Sequence, residues 1–209
     1  MKIVLCIPGD TYIREVMVDI VNFTREAQAL NWDLYVQLEY TSNIYKVRNK
    51  LLGGNVNLGK EQKPFNGKIE YDYVLWIDSD IRFNIEMIKT LLSHKKDVIT
   101  GLYRMKGSNS YVVVKDDVFF SREDLQKKRD ENDMGIFTIK SCGMGICLMS
   151  RKALESLEWP WFKPILIQTE KGLHYSEEDA GICQRLRRAG FDIYCDPNVI
   201  AGHMKMLMI

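Results

Sequence analysis

The spacing of apolar and polar residues changes along the chain, and each change marks an element. Lys2 to Ile7 reads as a short buried strand, broken at Pro8-Gly9-Asp10-Thr11. From Ile13 to Leu30 the apolar residues recur at spacings of three and four, which predicts an amphipathic helix over 12–30, capped by Asp10 or Thr11. Asp33 to Tyr40 predicts a second strand. A helix carrying Ile44, Val47 and Leu51 follows, with Ser42 placed to cap it. Gly53 to Glu70 has no period and predicts a surface loop. Further strands are predicted at Asp97–Tyr103 and Val112–Val114, and a helix after Asn84. The charged stretch Ser121–Met134 predicts a solvated helix or loop. Strands alternating with helices imply a parallel sheet covered by helices.

The stretch from Tyr71 to Phe83, YDYVLWIDSDIRF, organises the rest. Its apolar run predicts a strand buried on both faces, which ends in Asp78-Ser79-Asp80. Ligands in α/β folds sit at the carboxyl edge of such sheets. Two carboxylates at i and i+2 offer hard oxygen ligands for a divalent cation carrying a diphosphate. The competing reading is a turn that caps the helix from Asn84. Arg48 borders the apolar face of its helix. It reads equally as a snorkelling side chain or as a cation aimed at a nucleotide or its phosphates.

Three later stretches add candidate chemistry. In Gly135–Ser150, two β-like pieces flank Ser141-Cys142-Gly143-Met144-Gly145, whose glycines permit close backbone approach to a ligand or a plain bulge. Trp159-Pro160-Trp161-Phe162 is rigid and aromatic, suited to packing or to stacking on a sugar ring. Ser176 to Gly190, SEEDAGICQRLRRAG, predicts a helix with Ser176 and Asp179 as a capping box. The alternative for Asp179 is a general base held at the helix start. His203 becomes a metal-ligand candidate if its strand returns to Asp80.

Composition narrows the classes. The 209 residues suffice for one sizeable domain, with 46% apolar and 27% charged residues. A formal net charge of +1 gives no electrostatic footprint for nucleic acid. No apolar stretch reaches the length of a membrane span, and the N-terminus lacks a secretory pattern. Five cysteines without C-x-x-C spacing read as reduced, buried thiols of a cytoplasmic protein. Pro8-Gly9-Asp10 is not G-x-G-x-x-G, which argues against a nicotinamide or flavin site.

Taken together, these pieces resemble the GT-A fold of nucleotide-sugar glycosyltransferases. They are β-α-β-α-β, the hydrophobic-DSD stretch, the glycine segment, S-E-E-D-x-x-x-x-x-R-L-R-R-A-G-F and D-P-N-V-I-A-G-H. The similarity is greatest to family-2-like inverting enzymes, including small bacterial and phage versions, and it runs from Lys2 to His203. It implies a single Rossmann-like domain over 1–209, with a mostly parallel central sheet flanked by helices. The nucleotide-binding half would span about 1–103 and the acceptor half about 104–209.

By position, the resemblance makes Asp78 and Asp80 the D-x-D pair, with Asp80 the more direct metal ligand and His203 completing the site for Mn²⁺ or Mg²⁺. Pro8, Gly9, Asp10, Arg48 and Ser79 fall on the nucleotide side, and Gly143, Met144 and Gly145 beside the donor sugar. Glu178 and Asp179 match the acidic pair, with Asp179 as the base. Trp159 and Trp161 are acceptor-side candidates. The implied activity is transfer from a nucleotide-diphosphate sugar, UDP-sugar preferred, to a hydroxyl of a glycan or other acceptor, with inversion. The P-G-D-T loop and the end of the second strand at Glu39-Tyr40-Thr41 depart from the family pattern. The chain also ends just after His203, as a minimal catalytic domain would. Two alternatives stand beside this one: a GT-A domain that binds without turnover, and a haloacid-dehalogenase-type phosphotransferase, a family that carries its D-x-D on the first strand.

Overall fold

The computed structural model describes residues 1–169 and 172–204. In chain order its elements begin β1 (Lys2–Pro8), α1 (Arg14–Ala29), β2 (Asp33–Glu39), α2 (Ile44–Leu51), β3 (Tyr73–Ile77), β4 (Ile81–Arg82), α3 (Ile85–Ser93) and β5 (Val98–Leu102). They continue with β6 (Ser110–Lys115), β7 (Val118–Ser121), α4 (Arg122–Asp130), β8 (Phe137–Ile139), β9 (Ser141–Cys142), β10 (Ile146–Ser150) and α5 (Arg151–Glu155). The last are β11 (Leu166–Thr169), β12 (Gly172–Tyr175), α6 (Glu178–Arg188), β13 (Ile193–Ile200) and β14 (Gly202–His203).

Seven of the described strands form the central sheet in the order β2-β1-β3-β10-β5-β13-β8. β1 pairs in parallel with β2 and β3, and β13 with β5. β10 enters antiparallel between β3 and β5, and β8 closes the edge antiparallel to β13. Successive residues of a strand point to opposite faces. In β1, Val4 and Cys6 therefore join the core packed by α2 and α6, whereas Ile3, Leu5 and Ile7 join the core packed by α1 and α3. This two-sided burial explains the unbroken apolar runs of β1 and β3. Both core clusters use β3, whose Val74 to Ile77 are fully buried. The architecture is the Rossmann-like GT-A type, a mostly parallel sheet between helical layers. Asp78-Ser79-Asp80 follows β3, the third strand of the chain rather than the first.

Local capping differs from expectation in three places. Helix α1 begins after Ile13 with no side-chain cap, and the exposed Asp10 and Thr11 lie upstream of it. Asn43, not Ser42, caps α2 by accepting from Tyr45 N–H at 3.2 Å. Ser176 does not cap α6. Its hydroxyl accepts instead from Ile165 N–H at 3.1 Å, so the expected Ser176–Asp179 box is absent. Asn84 caps α3 as expected, and Ser121 forms a full capping box with Asp124 on α4. The loop predicted over 53–70 contains one short 3₁₀ turn, Val56–Leu58, and a turn at Pro64–Gly67 in which Phe65 and Asn66 take left-handed φ values of 56° and 54°. The five cysteines are buried and unpaired.

Candidate functional site

The site is built where β3 runs out. Ile81 N–H returns to the Asp78 carbonyl at 3.0 Å, so the D-S-D segment makes a tight turn. Because Asn84 caps α3, neither carboxylate of the turn is spent on a helix terminus. Asp19, on the buried stripe of α1, fixes the segment beyond the turn by accepting from Phe83 N–H at 3.2 Å and from the Arg82 guanidinium. The loop after β1 lies against the turn. A Cβ on Gly9 would stand 2.8 Å from the Ser79 Cβ, and Gly9 has φ +152°, so this position requires glycine.

The end of the described chain returns to the same place. β14 pairs antiparallel with β4, setting His203 opposite Ile81, and Met204 N–H donates to the Asp80 carbonyl at 2.8 Å. His203 Nε2 lies 3.3 Å from Asp80 Oδ2, and its Nδ1 lies 2.6 Å from the Arg104 carbonyl oxygen. A carbonyl can only accept, so Nδ1 carries the proton. When the imidazole is neutral, Nε2 then presents a lone pair beside the carboxylate. Metal-ligating histidines are oriented by this kind of second hydrogen bond.

A cavity of about 520 Å³ opens over these groups and is lined by Asp78, Ser79, Asp80 and His203, with Pro8 and Gly9 at its wall. Its described lining contains two aspartates and no lysine or arginine. Like-charge repulsion would oppose entry of a polyanion such as a nucleoside diphosphate unless a cation came with it. Among the described residues, no group of three or more His, Cys, Asp or Glu side chains forms a ready-made metal cage. The Asp80 carboxylate and the His203 imidazole would together offer a divalent ion one oxygen and one nitrogen ligand.

Behind the cavity lies a buried charge network. Arg48 is 3% exposed. Its Nη2 donates to Asp78 Oδ1 at 3.0 Å and its Nε to Glu178 Oε1 at 3.2 Å. The guanidinium lies over the Trp76 and Phe162 rings, at 5.6 and 5.8 Å from their centroids. Burial opposes the Arg48 charge, but the Asp78 and Glu178 carboxylates outweigh it, so the side chain holds its proton more tightly than usual. Arg48 has no wet head: it ties the D-x-D turn to the start of α6, and its Nη1 is buried without a hydrogen-bond partner. Replacing it with methionine leaves Glu178 buried and unpaired. Arg48→Met should cost about 3–5 kcal/mol in urea denaturation, and adding Glu178→Gln should recover much of the loss.

Asp179 follows Glu178 and is mostly buried. Burial, then the neighbouring Glu178 charge, pushes its carboxyl from an ordinary 3.8 to about 6, with Arg48 pulling the other way and Asp78 adding to the rise. Its Oδ1 accepts from Ala180 N–H at 2.6 Å. Asp179 is not part of the described cavity lining. It connects to that lining through Glu178, Arg48 and Asp78.

The glycine segment serves Tyr103 rather than an open ligand space. Gly145 N–H donates to the Tyr103 hydroxyl at 3.2 Å, and a Cβ on Gly145 would stand 2.6 Å from the ring. A Cβ on Gly143 would collide with the same hydroxyl. Burial raises the proton affinity of Tyr103, and Asp78 and Asp179 add to it. Its ring meets His203 edge-on at 5.5 Å. Gly145→Ala should therefore cost about 1–3 kcal/mol by thermal denaturation, through displacement of Tyr103. Met144 is buried beside them.

The remaining candidates separate. Asp10 is exposed and is not among the described lining residues, although Gly9 before it is. Trp161 has 0% exposure and is a core residue, unable to stack on a ligand. Trp159 is half-buried and lines a neighbouring groove. Tyr103 and Asp19 were not singled out in the sequence. The available signals were an acid on the apolar stripe of the first helix and a tyrosine at the carboxyl end of a predicted strand.

No protein-family model matches the chain, and no characterised protein matches it in sequence. Solved structures do match its fold. A viral protein from STIV is 16% identical over 99% of this chain and 87% of its own, with a TM-score of 0.60. The catalytic domain of Drosophila beta-1,4-galactosyltransferase 7, in complex with xylobiose, is 13% identical over 98% of this chain and 71% of its own, with a TM-score of 0.52. A mutant of that enzyme in complex with manganese, UDP-Gal and xylobiose is 14% identical over 98% and 71%, with a TM-score of 0.50.

Proposed function

We propose that this chain is a metal-dependent, inverting glycosyltransferase that uses a nucleotide-diphosphate sugar, preferentially a UDP-sugar. The observation that carries the proposal is the carboxylate-and-histidine cavity at the carboxyl end of β3, without a lysine or arginine in its described lining. The fold it shares with a manganese- and UDP-Gal-bound galactosyltransferase supports the same reading.

Asp80 and His203 would hold the cation, with Asp78 beside them. When bound, it supplies the positive charge that a leaving diphosphate needs. The loop after β1 and the D-S-D turn would seat the nucleotide. Arg48 keeps Asp78 and Glu178 in place and is therefore a positioning residue with respect to the reaction. The acceptor oxygen attacks the anomeric carbon as the bond to the diphosphate breaks. The acceptor proton passes to Asp179 Oδ2, since Oδ1 is engaged by Ala180 N–H. A carboxyl titrating near 6 is a better proton acceptor than an ordinary aspartate and is still ionised at neutral pH.

Release of UDP from a panel of UDP-sugars, with Mn²⁺ and simple hydroxyl acceptors, tests the assignment. The wild type should turn over at least one donor, and Asp179→Asn should do so about 10²–10⁴-fold more slowly. Donor binding by both proteins with turnover by neither would favour the non-catalytic binding domain.

A further inference from the structure

A second concave surface lies beside the donor cavity. It measures about 610 Å³, with Trp159, Pro160 and Phe162 on one wall and Tyr45 of α2 on the other. Thr41 lines both spaces, so they adjoin. The groove is built firmly. Asn49 donates to the Phe162 carbonyl at 2.6 Å and accepts from Phe162 N–H at 3.2 Å. Arg185 of α6 holds the Trp161 and Glu158 carbonyls, each at 2.7 Å. A Cβ on Gly181 would collide with the Lys163 carbonyl, so the groove wall packs directly on the helix that carries Asp179.

Its charge is one-sided. Lys46, Lys50 and Lys163 line it, and its described lining includes no Asp or Glu, in a chain with 28 acidic residues. Lys50 pairs with Glu39 at 2.7 Å, whereas no described carboxylate pairs with Lys46 or Lys163. Burial, then the Arg185 charge, lowers the proton affinity of Lys163, and Lys60 adds to the fall; Glu158 opposes it without outweighing them. Trp159 Nε1 is buried without a hydrogen-bond partner. The unpaired polar groups here are donors, set beside aromatic faces.

We infer that this groove is the acceptor subsite and that it selects an acidic saccharide. A sugar ring would lie against Trp159 and Tyr45, with its carboxylate or phosphate substituent toward Lys46 and Lys163. The inference rests on the transferase reading and adds the acceptor's chemical class. It separates the two spaces by charge, with an acidic cavity that takes its anion through a cation and a basic groove that takes its anion directly.

Isothermal titration with a uronic-acid disaccharide, its neutral hexose counterpart and phosphatidylglycerol vesicles tests it, on wild type and on Lys46→Ala/Lys163→Ala. The acidic disaccharide should bind the wild type, with affinity falling as salt is raised. The neutral counterpart and the double variant should each bind roughly tenfold or more weakly. The thermal shift given by UDP with Mn²⁺ should be the same in both proteins, showing that the variant is folded and its donor site intact. Equal binding of acidic and neutral disaccharides would overturn the inference, as would undiminished binding by the double variant or binding of the vesicles alone. If UDP with Mn²⁺ binds and neither disaccharide does, the inference fails while the donor site stands. If UDP with Mn²⁺ gives no shift either, the transferase reading has failed with it.

Discussion

Asp179→Asn should lower turnover by about 10²–10⁴-fold while leaving nucleotide binding in place. The substitution keeps the shape of the side chain and removes its capacity to take a proton. Wild-type turnover should rise as pH increases through about 6, where the carboxyl ionises, and the residual activity of the variant should lack that rise.

The same residue makes a stability prediction of the opposite sign. Its folded-state pKa of about 6 lies above the ordinary 3.8, so the folded protein binds this proton more tightly than the unfolded chain does. The resulting stabilisation is complete below the unfolded pKa and is lost as pH rises through about 6. At pH 8 the ionised carboxylate sits beside Glu178 at a cost of up to roughly 3 kcal/mol, which asparagine does not incur. Urea denaturation at about pH 4 and pH 8 should therefore show Asp179→Asn gaining stability relative to wild type only at the higher pH. Loss of activity together with a gain in stability is the pattern expected of a functional carboxylate. A residue kept only to terminate a helix would show the reverse.

Asp80→Ala should abolish metal-dependent nucleotide binding, a loss of 100-fold or more, because it removes the carboxylate facing His203 Nε2. His203→Ala should weaken Mn²⁺ affinity by about 10–100-fold, and His203→Gln by less if the amide oxygen substitutes as a ligand. Titration of Mn²⁺ against a fixed nucleotide concentration checks both. EDTA should reproduce the Asp80→Ala phenotype in the wild type. Loss of nucleotide binding in Asp80→Ala with unchanged binding in EDTA would mean that the carboxylate contacts the nucleotide directly.

Much of this architecture was legible in the sequence because it is written in local patterns. The apolar run of β3 ends at Asp78, Asn84 starts α3, and Gly190 lies just past α6 with φ +89°. The return of His203 to Asp80 was conditional on the path of the last strand, and the pairing of β14 with β4 meets that condition. What was not legible depends on contacts distant in sequence. Arg48 meets Asp78 across 30 residues and Glu178 across 130, and no helical spacing announces either contact. The place of β10 in the middle of the sheet was equally hidden, because a strand buried on both faces reads the same whether its neighbours run parallel or antiparallel. The glycines of 143–145 signalled a close approach correctly. The approaching group is the Tyr103 ring, and no short motif marks it. Trp159 and Trp161, two residues apart in one aromatic cluster, divide between groove and core because only the strand and helix packed around them decide which ring is covered.

The most direct test of the account is a thermal-shift panel of UDP, GDP, CMP and dTDP, each with and without Mn²⁺, on wild type and Asp80→Ala. At about 100 times Kd a ligand adds roughly 2.7 kcal/mol to folding stability, a readily measured displacement. UDP should give a shift that requires Mn²⁺ and is absent in Asp80→Ala. A shift of equal size without the metal, or one that survives in Asp80→Ala, would contradict it.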